Sequence, residues 1–267
     1  MGDGFDLVIF GASGDLAQRK IIPSLGRLVA REGQKIRVVG AGRSAKTTDE
    51  FRQMVREASH NEQLATRAEW VQLDYADPLT FVPLQKLLTG SPCVIFYLAT
   101  PAETFSNIVV AIVESGLASK EDASRRIVVE KPLGRDQASA GKVNAQLAGA
   151  FEEAQIFRID HYLAKDTVQN VLALRFSNSL FEPVWNRTLV ESILITVAEE
   201  EGIGRRAGYY DHAGAVRDII QNHVLQLLAL IAMEPPTTFD AESVRRAKRA
   251  ALRAMLPIDP ATAVRGQ

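Results

Sequence analysis

Cysteine is nearly absent: Cys93 is the only one in 267 residues, so no disulfide can form within the chain. Its neighbours over 93–99 (CVIFYLA) are apolar, and the thiol is read as a small core hydrophobe. Long apolar runs are missing as well. Nothing approaches the ~18 consecutive apolar residues of a membrane span, and the run from Leu7 to Phe10 is too short for a secretory h-region. Met1-Gly2 is followed by Asp6, where a myristoylation signal needs Ser or Thr. Charge of one sign is also lacking. The formal net charge is −1 with no block of like charge, which leaves no footprint for nucleic acid or an anionic membrane. These absences make the cytoplasm the default compartment. What is present, 46% hydrophobic and 24% charged residues, suits a soluble globular chain of one large or two smaller domains.

Short β-rich runs alternate with helical stretches through the first 160 residues. The runs are 6–10, 36–42, 69–74, 93–99, 125–130 and 156–159, and most are continuously apolar, as strands buried on both faces must be. Helical patterns fill 18–31, 48–58, 78–89, 102–115 and 136–149, with start signals at Thr48-Asp49 and Asp77-Pro78. The rhythm then changes: a helix over 165–176, an irregular 181–187, a strand over 190–199, a long helix from about Ala213 to Met233, and a basic amphipathic segment over 241–255. The expected fold is α/β: an N-terminal Rossmann doubly wound parallel sheet (1–160), then an incomplete α+β substrate domain (161–267). The strand over 190–199 stands alone and needs a partner from elsewhere. That edge leaves association with further copies open.

Directly after the first strand, GASGDLAQRK (11–20) contains Gly11-x-x-Gly14-x-x-Ala17. Such a turn permits close backbone approach to a pyrophosphate and leads into a helix whose amides favour phosphate charge. In a strand–turn–helix context it points to dinucleotide binding; in isolation it is a turn. The second strand ends in Gly40-Ala41-Gly42-Arg43 with no acid, and Lys46 follows. That prefers the 2′-phosphate of NADP, with NAD the lesser choice, although a solvated basic loop would read the same way.

The fifth strand ends in Glu130-Lys131-Pro132. Lys131 there is either turned to the ligand crevice or a surface lysine paired with an acid. In RIDHYLAKD (158–166), Asp160 and His161 point to opposite sides if extended, and His161, Tyr162 and Lys165 form a phosphate clamp or a local ion network. His223 sits at helical spacing among Val216, Ile219, Leu227 and Leu230. It is a satisfied core histidine or a general base oriented by Asp160 or Asp218. No metal ligand set is expected.

Taken together, FGASGDLAQRKIIPSL, FYLATP, VVEKPLG, RIDHYLAKD, LALRFSN, FEPVWNR and QNHVLQLLALIAMEPP resemble the glucose-6-phosphate dehydrogenase family, in family order and over nearly the whole chain. The resemblance is to a short or C-terminally truncated member. It implies oxidation of glucose 6-phosphate at C1 to the lactone, with hydride passed to NADP. His223 matches the general base, Asp160 its carboxylate partner, and Lys131 the lysine near the reacting carbon. His161, Tyr162 and Lys165 match phosphate contacts; Glu199 and Asp218 match acids that bind sugar hydroxyls. Cofactor contacts are implied for Gly11, Ser13, Gly14, Asp15, Leu16, Thr100, Pro101, Arg43 and Lys131. Departures from the family pattern are Ala164, Ala102, and Gly204, Arg205 and Ala207. Two further readings share these motifs: a divergent sugar or sugar-phosphate dehydrogenase, and a non-catalytic NADP-binding fragment.

Overall fold

The computed structural model describes residues 4–134, 136–198, 202, 207–264 and 266. The chain divides into two compact units, Met1–Ile159 and Asp160–Gln267.

The first unit is built on six parallel strands: β1 (Phe5–Phe10), β2 (Ile36–Gly42), β3 (Glu69–Gln72), β4 (Val94–Leu98), β5 (Arg125–Val129) and β6 (Ile156–Arg158). Their order is β3-β2-β1-β4-β5-β6, the order of dinucleotide-binding sheets, with the connection reversing between β1 and β4. All six expected strands are present. Between them run α1 (Ile22–Glu32), α2 (Thr48–Ser59), α3 (Glu62–Thr66), α4 (Val82–Leu87), α5 (Phe105–Glu114) and α6 (Gln137–Ala150). Of these, only the short α3 has no counterpart in the sequence reading.

Strand geometry explains the apolar runs. Alternate side chains leave opposite faces, so Val8 and Phe10 of β1 join one core with Phe81, Phe96, Phe105 and Ile127. Leu7 and Ile9 join the other, with Ile22, Phe51, Leu64 and Trp70. Helix starts are set by local polar chemistry. Thr47, one residue before the expected signal, accepts from the Glu50 amide while Glu50 answers the Thr47 backbone. Asp77 accepts from the Leu79 amide ahead of Pro78. Cys93 is half-buried rather than a core residue, because it lies just before β4 begins.

The second unit contains α7 (Asp166–Phe176), α8 (Ala207–Ala215), α9 (Leu225–Ala232) and α10 (Ala241–Ala254). Between α8 and α9, Val216–Val224 is wound as a π-helix, and Gly214 breaks the backbone before it with φ 64° and ψ 173°. The long helix read from the sequence is therefore three segments. Its predicted stripe changes accordingly: Val216 is 61% exposed, whereas His223 and Leu230 are buried. The core here is small, with Val168, Leu230 and Met233 packed by Leu163, Leu172, Phe176, Leu227, Ala247 and Ala251.

Two side chains close the end of α9, where the last carbonyls lack intrahelical donors. The buried Arg175 guanidinium donates to Leu230 O (2.6 Å) and Met233 O (2.8 Å), and Trp185 Nε1 donates to Ile231 O (3.0 Å). Residues 191–198, expected as a strand, have no ladder partner among the described residues. A strand needs neighbours to satisfy its backbone, and none is offered.

Gly40 in β2 offers a packing test. A Cβ there would lie 2.5 Å from the Phe51 ring and 2.7 Å from Trp70, and both rings are buried. Gly40→Ala should destabilise the protein by roughly 1–3 kcal/mol through overpacking. Urea unfolding with an unchanged midpoint would show that this core can yield.

Candidate active site

The predicted cofactor residues lie along one edge of the first unit's sheet, at the carboxyl ends of its strands. Gly11 ends β1 with φ +80°, a conformation that favours glycine. Its amide donates to Ala41 O (2.9 Å), and Gly14 N donates back to Gly11 O (2.9 Å), closing the turn. A Cβ on Gly11 would sit 2.8 Å from Thr100 Cγ2 and 2.9 Å from Ala99 O. The turn after β1 thus packs backbone-first against the segment after β4. Ser13, Gly14, Asp15 and Leu16 continue that turn, and Pro101 follows Thr100. Asp15 forms an exposed ion pair with Arg19 (2.8 Å). Arg43, exposed, follows β2 on the same edge, and its carbonyl accepts from Gln72 Nε2 (3.2 Å).

Lys131 follows β5 and precedes Pro132 across a cis peptide bond. Beside it, Tyr97 from β4 donates its hydroxyl to Glu130 Oε1 (2.5 Å). Burial, reinforced by that carboxylate, pushes the Tyr97 phenol far above its ordinary value. The phenol therefore stays a donor and holds the segment carrying Lys131. Sequence reasoning quoted both flanking motifs without seeing this bond, since it joins residues 33 positions apart.

In the second unit the chain turns sharply after β6. Asp160 is extended, and its Oδ1 accepts from Tyr162 N (3.0 Å), capping the 3-10 turn His161–Ala164. The same Oδ1 lies 2.6 Å from Nδ1 of the fully buried His223. Of the two acids considered from sequence, Asp160 makes this bond. Asp218 is buried on the π-helix five residues before His223. An i→i+5 winding places residues five apart on one face, which α spacing would not.

Aromatic rings complete the cluster. Tyr162 stacks on His223 with centroids 3.9 Å apart and planes 17° apart, and His161 meets His223 edge-on at 4.6 Å. Lys165 Nζ lies 3.6 Å from the Tyr162 ring centre. Residues three apart eclipse in a 3-10 turn, which puts Tyr162 and Lys165 on one side. A cavity of about 310 Å³ opens beside them, lined by Tyr162, Lys165, Val168, Val171, Thr196 and Leu227. On α10, burial holds the Lys248 ammonium below its ordinary value, with the Asp160 carboxylate partly opposing that shift. That lysine was hidden within a basic amphipathic pattern.

Asp160, His161 and His223 bring ligand-type atoms within 4.8 Å of one another. Within this group Asp160 and His223 form a hydrogen-bonded imidazole–carboxylate dyad, and His161 meets the His223 ring edge-on. The predicted residues thus assemble as two sets, the strand-end edge with Lys131 in one unit and the dyad with His161, Tyr162 and Lys165 in the other. Glu199 lies outside the described residues.

A Rossmann-ordered sheet in the first unit and a buried histidine–aspartate dyad in the second define the class: a chain with a dinucleotide-binding fold and an imidazole–carboxylate pair. The chain belongs to the glucose-6-phosphate dehydrogenase family. Residues 8–170 match the family's domain described as "Glucose-6-phosphate dehydrogenase, NAD binding domain", and residues 172–267 match its C-terminal domain. It is 43% identical to glucose-6-phosphate 1-dehydrogenase of Rhizobium meliloti, covering 98% of this chain and 57% of that protein. The Mycolicibacterium smegmatis enzyme is 41% identical, with 96% and 55% covered. The chain therefore spans little more than half the length of these relatives. Among solved structures, a glucose-6-phosphate dehydrogenase in complex with its substrate glucose-6-phosphate superposes with TM-score 0.87 at 33% identity, over 97% of this chain and 58% of that one. The Mycobacterium avium enzyme gives 0.89 at 36%, over 99% and 60%.

Burial raises the phenols of both Tyr97 and Tyr75 above the ordinary 10. The stability they contribute is complete below about pH 10 and is lost as pH climbs beyond it, because the unfolded phenols release protons first. Native spectrophotometric titration near pH 10 should keep the same amplitude in Tyr97→Phe as in wild type. The missing phenolate signal should appear only on alkaline unfolding. A native step that shrinks in the variant contradicts the burial argument.

Proposed function

We propose that the chain carries the cofactor and base machinery of an NADP-dependent dehydrogenase that oxidises glucose 6-phosphate at C1 to the 6-phosphoglucono-lactone. The observation that carries this reading is the 2.6 Å His223–Asp160 bond, set beside His161, Tyr162 and Lys165. Membership of the family and the relatives' shared activity support it.

The strand-end edge fits a dinucleotide, because Gly11, with no Cβ, lets the turn after β1 pack tightly against Ala99 and Thr100 at the carboxyl ends of neighbouring strands. Gly11, Ser13, Gly14, Asp15 and Leu16 would hold the pyrophosphate side, Thr100 and Pro101 would line the adjoining strand end, and Arg43 would meet the 2′-phosphate. When bound, the nicotinamide supplies the hydride acceptor. Lys131 would orient the sugar near that ring.

The base follows from the dyad. With Nδ1–H committed to Asp160, neutral His223 presents Nε2 as its basic atom. It would remove the C1 hydroxyl proton as the carbonyl of the lactone forms, and the Asp160 carboxylate would stabilise the imidazolium. His161, Tyr162 and Lys165 would hold the 6-phosphate beside the 310 Å³ cavity. Asp218 and Glu199 would receive sugar hydroxyls. Gripping the phosphate, remote from the reacting carbon, turns binding energy into orientation of C1.

The partner is thus a small phosphorylated sugar rather than nucleic acid or a membrane, with the cytoplasm as the compartment. Among the described residues no helix is long and apolar enough to cross a membrane.

The test is nicotinamide absorbance with purified protein, NADP or NAD, and a panel of sugars and sugar 6-phosphates. Turnover is expected with glucose 6-phosphate and NADP. His223→Asn should lose on the order of 10²–10⁴ in rate, and Arg43→Ala should weaken NADP while sparing NAD. Turnover confined to another sugar overturns the substrate; cofactor binding without turnover on any sugar overturns the activity.

A further inference from the structure

His223 is one layer of a three-part stack. The imidazole lies nearly parallel to the Tyr162 ring at 3.9 Å, and the Lys165 ammonium lies 3.6 Å from the same ring centre. Two groups that close to one ring centre occupy its opposite faces. The phenol ring is buried, while Lys165 is exposed. A mobile cation is thereby held at a defined place, about two ring spacings from the imidazole, by attraction to the ring face.

We propose that Tyr162 is a positioning residue: it holds the Lys165 ammonium in stacking register with His223, so that an anion drawing Lys165 off the ring strengthens His223 as a base. This rests on the reading of His223 as the base and Lys165 as an anion contact. A positive charge at that distance opposes formation of an imidazolium. An ammonium–phosphate contact is stronger than an exposed cation–π contact, so a bound phosphate takes the lysine. Base strength then rises only when the anion is in place.

Among the described residues, the other charged or titratable groups around the ring are Asp160 at the head of the 3-10 turn, His161 within it, Asp218 on the same π-helix, and Lys248 of α10, whose ammonium feels the Asp160 carboxylate. Lys165 lies across the Tyr162 ring from His223, so Lys165→Gln removes that charge and leaves both residues of the His223–Asp160 bond in place.

The experiment is an NMR pH titration of the labelled histidine rings in the full chain. The protein has four histidines, and His60→Gln, His161→Gln and His212→Gln assign the signals. In ligand-free Lys165→Gln the His223 midpoint should rise by roughly half a pH unit or more. Tyr162→Phe, which keeps the ring, should titrate as wild type, and Tyr162→Leu should reproduce Lys165→Gln. Should Tyr162→Leu fail to fold, Lys165→Gln and Tyr162→Phe still decide the matter. Saturating inorganic phosphate should raise the wild-type midpoint. An unchanged midpoint in ligand-free Lys165→Gln overturns the coupling. Phosphate that leaves the His161 signals untouched overturns the anion-subsite reading alone.

Discussion

One carboxylate oxygen carries two bonds on which the second unit's chemistry depends. Asp160 Oδ1 caps the 3-10 turn through the Tyr162 amide and also takes the ring nitrogen of His223. The first bond decides where His161, Tyr162 and Lys165 point; the second decides which nitrogen of the buried imidazole remains basic. An ionised acceptor makes both bonds stronger than neutral ones. Because the imidazole is fully buried, losing Asp160 would remove a hydrogen bond from a desolvated ring, at a cost of about 1–3 kcal/mol.

The two sets of site residues are built by different devices. At the sheet edge, position comes from parallel strands ending together, so residues far apart in the chain share one rim through backbone register. Gly11 is demanded there twice, by its left-handed conformation and by the Thr100 side chain against it. In the second unit, position comes from a tight turn and a π-wound helix. The π winding brings Asp218 and His223 to one face, and local π geometry is a recurrent feature of functional helices.

The units differ in how much apolar packing supports them. The first has two extended cores, one on each face of the sheet. The second has a small core reinforced by polar contacts, chiefly Arg175 and Trp185 on the last carbonyls of α9. Leu180, Leu189 and Leu194 of the second unit are largely exposed, at 77%, 64% and 91%.

The sequence by itself determined the strand order's raw material: six apolar runs, their punctuating helices, the Gly11–Gly14 turn and the motif around Asp160. These are written in local periodicity and turn chemistry, which act over a few residues. Tertiary structure alone decided that Asp160 bonds His223, that Tyr97 grips Glu130, and that Lys248 is buried within the electrostatic reach of Asp160. It also decided that Val216 leaves the predicted stripe and that 191–198 joins no ladder among the described residues. Each depends on residues distant in sequence, or on a helix register that a 3.6-residue period cannot announce. Short-range pattern specifies elements, whereas pairing partners are set by packing.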